Sequence, residues 1–276
     1  MVEQLTRKNR IARAGRRAGF TIGEMMIVIA VIAILAALIA PLAVNVITQN
    51  RINACIEELD IIKKAIVGDP SLVEGGTRSS FGFVGDMGTL PRENLNDLGF
   101  PLNNFTLGDL IYQNGLQGSP GPGTVLWGWR GPYINEDLDP WGRQYIYRTI
   151  TGNPLISAII RSMGQDGIDG TADDISISIH VDEVSAMVQG NTLDNCGAGT
   201  ASDIDIDYPD GTTVTQIDLA DTTAENPIYS SGGTRIPIGI RRIVFTVGGT
   251  SYPRLLYINN GPQTVVNFRV PGTCPN

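Results

Sequence analysis

Residues Gly19–Val44 read GFTIGEMMIVIAVIAILAALIAPLAV, and from Phe20 to Val44 the only charged side chain is Glu24. A helix rising about 1.5 Å per residue over such a stretch covers the roughly 30 Å hydrocarbon core of a bilayer. Leu, Ile, Val, Ala and Met occupy every face, which excludes an ordinary one-sided globular helix. Two environments suit such a rod: lipid, and the interior of an assembly of similar rods. The sequence predicts both, in succession.

The net charge of −8 hides a division along the chain. Arg7, Lys8, Arg10, Arg13, Arg16 and Arg17 stand against Glu3 before Gly19, so the remainder is strongly acidic. An acidic body argues against general nucleic-acid binding. A basic flank ahead of an apolar span predicts that this end stays in the cytoplasm while the rest is translocated. In a secretory signal the apolar stretch precedes the cleavage site and is discarded with it. Here a cut after Gly19 would remove the charges and keep the apolar helix.

The run Gly19-Phe20-Thr21-Ile22-Gly23-Glu24, followed by the apolar stretch, resembles the processing site of type IV prepilins and type II secretion pseudopilins. The resemblance implies that prepilin peptidase, a membrane-embedded enzyme, cuts after Gly19 and N-methylates Phe20, with residues 1–19 as the leader. Gly23 departs from the pattern, since the family more often has a larger apolar residue there. An ionised carboxylate in a membrane span costs energy and marks a function or a partner. Glu24 lies one turn into the helix on the face of Phe20, where it can meet an N-terminal amine. The resemblance implies a neighbouring subunit's amine, a pair that would set register in a growing filament. The alternative is a glutamate that snorkels to the interface. Pro41 lacks an N–H and is expected to kink or loosen the helix, as prolines do in that family's filaments.

Beyond the apolar run, Ile52, Ile56, Leu59, Ile62 and Ile66 recur at spacings of three and four and predict an amphipathic continuation. Gly68-Asp69-Pro70 ends it, so the helix is expected over 20–67, with 20–44 as the membrane or filament-core part. Residues 68–131 are rich in Gly and Pro and leave room only for short elements, around Leu95–Leu98 and Leu107–Asn114. Phe81, Phe83, Phe100, Phe105, Tyr112, Trp127 and Trp129 argue that this stretch folds against the helix.

Asp139-Pro140-Trp141-Gly142 is a turn signal leading into strand Gln144–Ile150; Thr151-Gly152-Asn153-Pro154 then turns into strand Leu155–Arg161. Ser162-Met163-Gly164-Gln165-Asp166-Gly167-Ile168-Asp169-Gly170-Thr171-Ala172-Asp173-Asp174 follows. In content and order this is similar to the major pseudopilin of the type II secretion system, over roughly residues 14–176. The resemblance implies a calcium ion held by Asp166, Asp173 and Asp174, with carbonyl help near Ser162 and Ile168. The chemistry is reasonable on its own terms, because a hard cation takes about six to eight oxygens and the loop offers clustered carboxylates with glycines that free its carbonyls. The loop is not an EF-hand, and a solvated acidic turn is the alternative.

About a hundred further residues follow, beginning with the alternating run Ile175–Val181. Strands are expected over Thr213–Leu219, Ile236–Val247, Tyr252–Ile258 and Thr264–Val270, with turns at Asp210-Gly211, Gly248-Gly249 and Asn260-Gly261. In an oxidising compartment Cys196 and Cys274 can close one long loop around this region, leaving Cys55 unpaired; three free thiols are the alternative. Many type IV pilins carry a similar disulfide-bounded loop. Asp203, Asp205 and Asp207 share one strand face, read as a charge-protected edge strand or, alternatively, a second calcium site.

Nothing in the chain suggests catalysis: the single histidine, His180, sits in an alternating strand pattern, and no nucleophile elbow or phosphate loop is present. The expected architecture is α+β, a long N-terminal helix on an antiparallel sheet. A pseudopilin-like head is expected over 68–180 and a β-rich extension over 181–276. The expected function is a non-enzymatic subunit of a helical homo-oligomeric filament. It would be held as a single-pass inner-membrane protein with a cytoplasmic N-terminus, then drawn into a periplasmic or extracellular polymer by an inner-membrane platform and its ATPase. A surface type IV pilus subunit for adhesion or movement, and an anchored binding or enzymatic domain, are the alternatives. N-terminal sequencing of assembled protein is expected to begin at methylated Phe20; an intact Met1 would reject processing.

Overall fold

The computed structural model describes residues 19–91, 128, 130, 133–134, 138–211 and 213–271. The architecture is α+β: a long N-terminal helix followed by several antiparallel sheets. The chain divides into two compact units, one ending at Gln49 and one beginning at Asn50. Helix α1 (Ile22–Val67) contributes to both and continues through Pro41. In the first unit its large side chains, Met26, Ile32 and Leu38 among them, are exposed on all faces. Its length and composition suffice to cross a membrane.

In the second unit α1 becomes one-sided. Cys55, Leu59, Ile62 and Ile66 form the buried stripe, while Ile56 is exposed. This corrects the expected stripe at one position: a step of four from Cys55 to Leu59 holds the face, and Ile56 falls a hundred degrees off it. Gly68 ends the helix in a left-handed turn (φ 76°), its N–H donating to the Lys64 carbonyl at 2.7 Å. A Cβ at Gly68 would lie 2.4 Å from the Ser80 carbonyl oxygen, so only glycine fits. The short strands β1 (Val73–Glu74) and β2 (Thr77–Arg78) return the chain to this end. There the buried Arg78 donates to the Val67 carbonyl (2.5 Å), an acceptor that the helix end leaves open, and to the Ser80 carbonyl (2.6 Å).

Helix α2 (Gly82–Met87) and a three-stranded antiparallel sheet, β3 (Ile146–Thr149), β4 (Ile156–Ser162) and β5 (Ile175–His180), complete the first core. Phe81, Phe83, Val84, Tyr145, Tyr147, Ala158, Ile160 and Ile179 bury against the α1 stripe. Helix α3 (Val181–Val184) follows, and its Glu183 pairs with Lys63 of α1 at 2.7 Å. The elements expected at Leu95–Leu98 and Leu107–Asn114, with Phe100, Phe105, Tyr112, Trp127 and Trp129, lie outside the described residues.

The extension contains two sheets around a second core. Strand β6 (Ser185–Leu193) pairs antiparallel with β9 (Ile228–Ser230) and β10 (Ile236–Pro237), and parallel with β13 (Gln263–Val265) and β14 (Phe268–Arg269). Strands β7 (Ser202–Pro209), β8 (Val214–Thr222), β11 (Gly239–Val247) and β12 (Thr250–Ile258) form an antiparallel sheet in the order β12-β11-β7-β8. Ala186 and Val188 meet Ile204, Ile206, Ile243, Phe245, Leu256 and Phe268 in one cluster, with the Phe245 and Phe268 rings stacked at 4.1 Å. Two expectations are corrected. The run Ile236–Val247 is two strands, because Pro237 removes a donor and the chain changes sheet before Gly239. The strand carrying Asp203, Asp205 and Asp207 is internal, not an edge: β7 lies between β11 and β8, and buried Asp207 forms an ion pair with Arg242.

Buried arginines tie the extension to the head, Arg78 through Asn260 Oδ1 (3.2 Å) and Arg241 through α2. Arg241, wholly buried on β11, donates to the carbonyls of Gly85 (3.0 Å) and Val84 (3.4 Å) in α2, and to those of Pro237 and Ile238. Burial draws its pKa down, and the nearby Asp86 carboxylate opposes that shift. Replacement by leucine strands several buried carbonyls. Arg241→Leu is expected to cost about 3 kcal/mol in urea unfolding; a loss below about 1 kcal/mol would mean the joint is not structural.

Candidate functional site

Two places carry chemistry. The first is the start of α1. Gly19 and Phe20 precede the helix and are exposed. Glu24 Oε2 accepts from the Thr21 backbone N–H (2.8 Å) and from its hydroxyl (3.0 Å), while Thr21 Oγ1 accepts from the Glu24 N–H (3.2 Å). This reciprocal pair is a capping box, and it satisfies backbone donors that begin the helix. The spacing Thr-x-x-Glu announces it in the sequence. Within one chain, Glu24 is held by Thr21.

The second is the acidic loop between β4 and β5. Thr171 Oγ1 lies 2.7 Å from Asp173 Oδ1, 3.1 Å from the Ile168 carbonyl and 3.3 Å from Asp166 Oδ1. A hydroxyl has one proton and can serve only one of these acceptors. Oxygens spaced this way match neighbouring ligands of a hard cation with bonds of about 2.3–2.6 Å. The Asp166 N–H (2.9 Å) and the Thr171 hydroxyl hold the Asp173 carboxyl well below its ordinary pKa, at about 2, so it is ionised at neutral pH. Asp174 Oδ2 accepts from the Gly170 N–H at 2.8 Å, while its Oδ1 is buried with no hydrogen-bond partner among the described residues. No three of the loop's carboxylates bring ligand oxygens within 4.8 Å of one another; among the described residues Asp203, Asp218 and Asp221 do so. Near Ser162 the expected ligand is a carbonyl; the hydroxyl of that residue is engaged by Asp139 and Gly164. Thr171, absent from the expected ligand set, holds its hydroxyl within 3.3 Å of three of the loop's oxygens.

Ser162 serves the Asp-Pro-Trp-Gly turn. Its hydroxyl donates to Asp139 Oδ2 at 2.6 Å and accepts from the Gly164 N–H at 3.2 Å. Asp139 Oδ1 takes the N–H groups of Trp141 (3.0 Å) and Arg143 (2.9 Å). Arg143 then reaches the loop, donating to the carbonyls of Gly164 (2.7 Å) and Gln165 (3.0 Å). A Cβ at Gly167 would fall 2.7 Å from that guanidinium, so glycine admits the arginine. The same core reaches α1 through Tyr145, whose hydroxyl donates to Glu58 at 2.6 Å and lies 3.8 Å from Cys55 Sγ. Burial raises the pKa of both the tyrosine and the thiol. Cys55 is a free buried thiol and Cys196 is disulfide-bonded; Cys274 lies outside the described residues.

Residues 95–179 match the family model described as Type II secretion system (T2SS), protein G. The match takes in the turn and the acidic loop and ends before α3. No curated protein matches the chain. Because the Ser162 hydroxyl bridges turn and loop at a fully buried position, Ser162→Ala is expected to cost about 1–3 kcal/mol in urea unfolding; a neutral result would remove the bridge from the account.

Proposed function

We propose that the chain is a structural subunit of a type II secretion pseudopilus, stored in the inner membrane and drawn into a helical filament of identical copies. The match of residues 95–179 to the protein G family carries this reading. The apolar, uniformly exposed first half of α1 supports it, since that surface needs lipid before assembly and neighbouring helices afterwards. Prepilin peptidase removes residues 1–19, and an ATP-driven inner-membrane platform lifts the subunit. Glu24 exchanges its Thr21 partner for the N-terminal amine of a neighbour, and Pro41 lets the helix adjust inside the filament. Calcium is held by Asp166, Asp173 and Asp174 with the Ile168 carbonyl and the Thr171 hydroxyl. When bound, it neutralises the loop and staples it to β4 and β5.

A surface pilus is the second reading, favoured by the size of the extension and the disulfide-bonded Cys196 within it. The two separate in cells. Glu24→Ala is expected to abolish filament formation and block export of secreted proteins while leaving the subunit in the membrane. Normal export with loss of cell-surface fibres would favour the pilus, and unaffected export and fibres would reject both. For calcium, saturating metal is expected to raise Tm by roughly 5 °C over chelated protein at matched ionic strength. An unchanged Tm would remove the ion.

A further inference from the structure

Arg161 lies on β4 with its guanidinium turned to the acidic loop. Its Nη1 is 2.8 Å from Asp169 Oδ1 and 3.5 Å from Asp174 Oδ2. The other oxygen of Asp169 is 3.1 Å from Arg148 Nη2 on β3, so each oxygen of that carboxylate faces an arginine. Asp174 Oδ2 also accepts the Gly170 N–H, which puts the loop backbone, its last carboxylate and Arg161 in one connected group. Asp166 and Asp173 have no ion pair to a basic side chain among the described residues; their oxygens collect around Thr171. Of the loop's four carboxylates, Asp169 and Asp174 are thus answered by arginines from the sheet, while Asp166 and Asp173 are not.

We propose that Arg161 is the resident cation of the acidic loop: a positioning residue that holds the loop closed through Asp169 and Asp174 before any metal arrives. Asp169 is thereby withdrawn from coordination. Asp174 is held by its Oδ2, while its Oδ1 is buried with no hydrogen-bond partner among the described residues. The side chain of Arg161 is 30 % exposed, and its partners Asp169 and Asp174 are 33 % and 11 % exposed, so the pairs are partly shielded from water and salt. A loop closed in this way keeps its fold in calcium-poor surroundings, and calcium then adds to an arrangement already made. The part of this inference that concerns metal rests on the calcium reading above; the part that concerns closure does not.

The test uses full-length processed protein in detergent, wild type and Arg161→Gln, each with calcium chloride and with chelator. Amide hydrogen exchange at Gly170 and Tm are the readouts. In chelator, Arg161→Gln is expected to exchange Gly170 faster by on the order of tenfold, with a lower Tm, while the Gly142 amide of the neighbouring turn is unchanged. In calcium the two proteins are expected to converge, so the variant shows the larger calcium response. Arg148→Gln, which loses only one oxygen of Asp169, is expected to give a smaller rise and serves if Arg161→Gln does not fold. Gly170 exchange in chelator that is indifferent to both variants would overturn the proposal. Wild type with no response to calcium, but with Gly170 exchange that depends on Arg161, would reject the calcium reading and leave the closure role standing.

Discussion

The first half of α1 cannot remain in water. With Glu24 as its single charge and apolar side chains on all faces, it has no polar side to show. Burying each large aliphatic side chain is worth about 1.5–3 kcal/mol, so the combined drive toward lipid or toward other helices exceeds the stability of an ordinary domain. The remainder of the chain answers to this constraint. It must fold around the second half of the same helix while the first half stays available for a bilayer or for copies of itself. The change from an all-round apolar surface to a one-sided stripe, Cys55 to Ile66, is how one helix serves both.

The body is held by polar joints placed where apolar packing alone would be ambiguous. Arg78 caps the end of α1, Asp139 ties the Asp-Pro-Trp-Gly turn to Ser162, and Arg241 fastens the extension to α2. Each joint satisfies buried backbone groups that would otherwise be costly, so each fixes one arrangement against its competitors. The acidic loop extends this logic to the protein's edge. Two of its carboxylates are met by arginines from the sheet, and two gather oxygens around Thr171.

Much of this was legible in the residues. An uninterrupted apolar run, a helix stop at Gly68-Asp69-Pro70 and turn signals at Asp139-Pro140 and Asn153-Pro154 act over a few residues, where local rules are strong. Strand β6 is not legible in the sequence because Gly190 and scattered polar residues break its alternation; its partners come from as far away as Phe268 and supply the pairing that its own pattern lacks. The strand bearing Asp203, Asp205 and Asp207 was misplaced for a similar reason. Charges on a strand suggest an edge, yet Arg242 on the neighbouring strand neutralises Asp207 and allows a central position. In the acidic loop the carboxylates were visible, but the sorting by Arg161 and Arg148 was not, because those arginines stand on strands whose register the sequence does not state.

Where the apolar half of α1 is buried, in lipid or among copies of itself, is the central question. Electron cryomicroscopy of the processed protein after assembly measures this directly. The account predicts a helical polymer with the α1 helices packed along its axis and Glu24 of each subunit within hydrogen-bonding distance of a neighbour's Phe20 amine. Dispersed single copies lying in vesicles, or a polymer joined only through the β-rich extension with these helices outside its core, would contradict it.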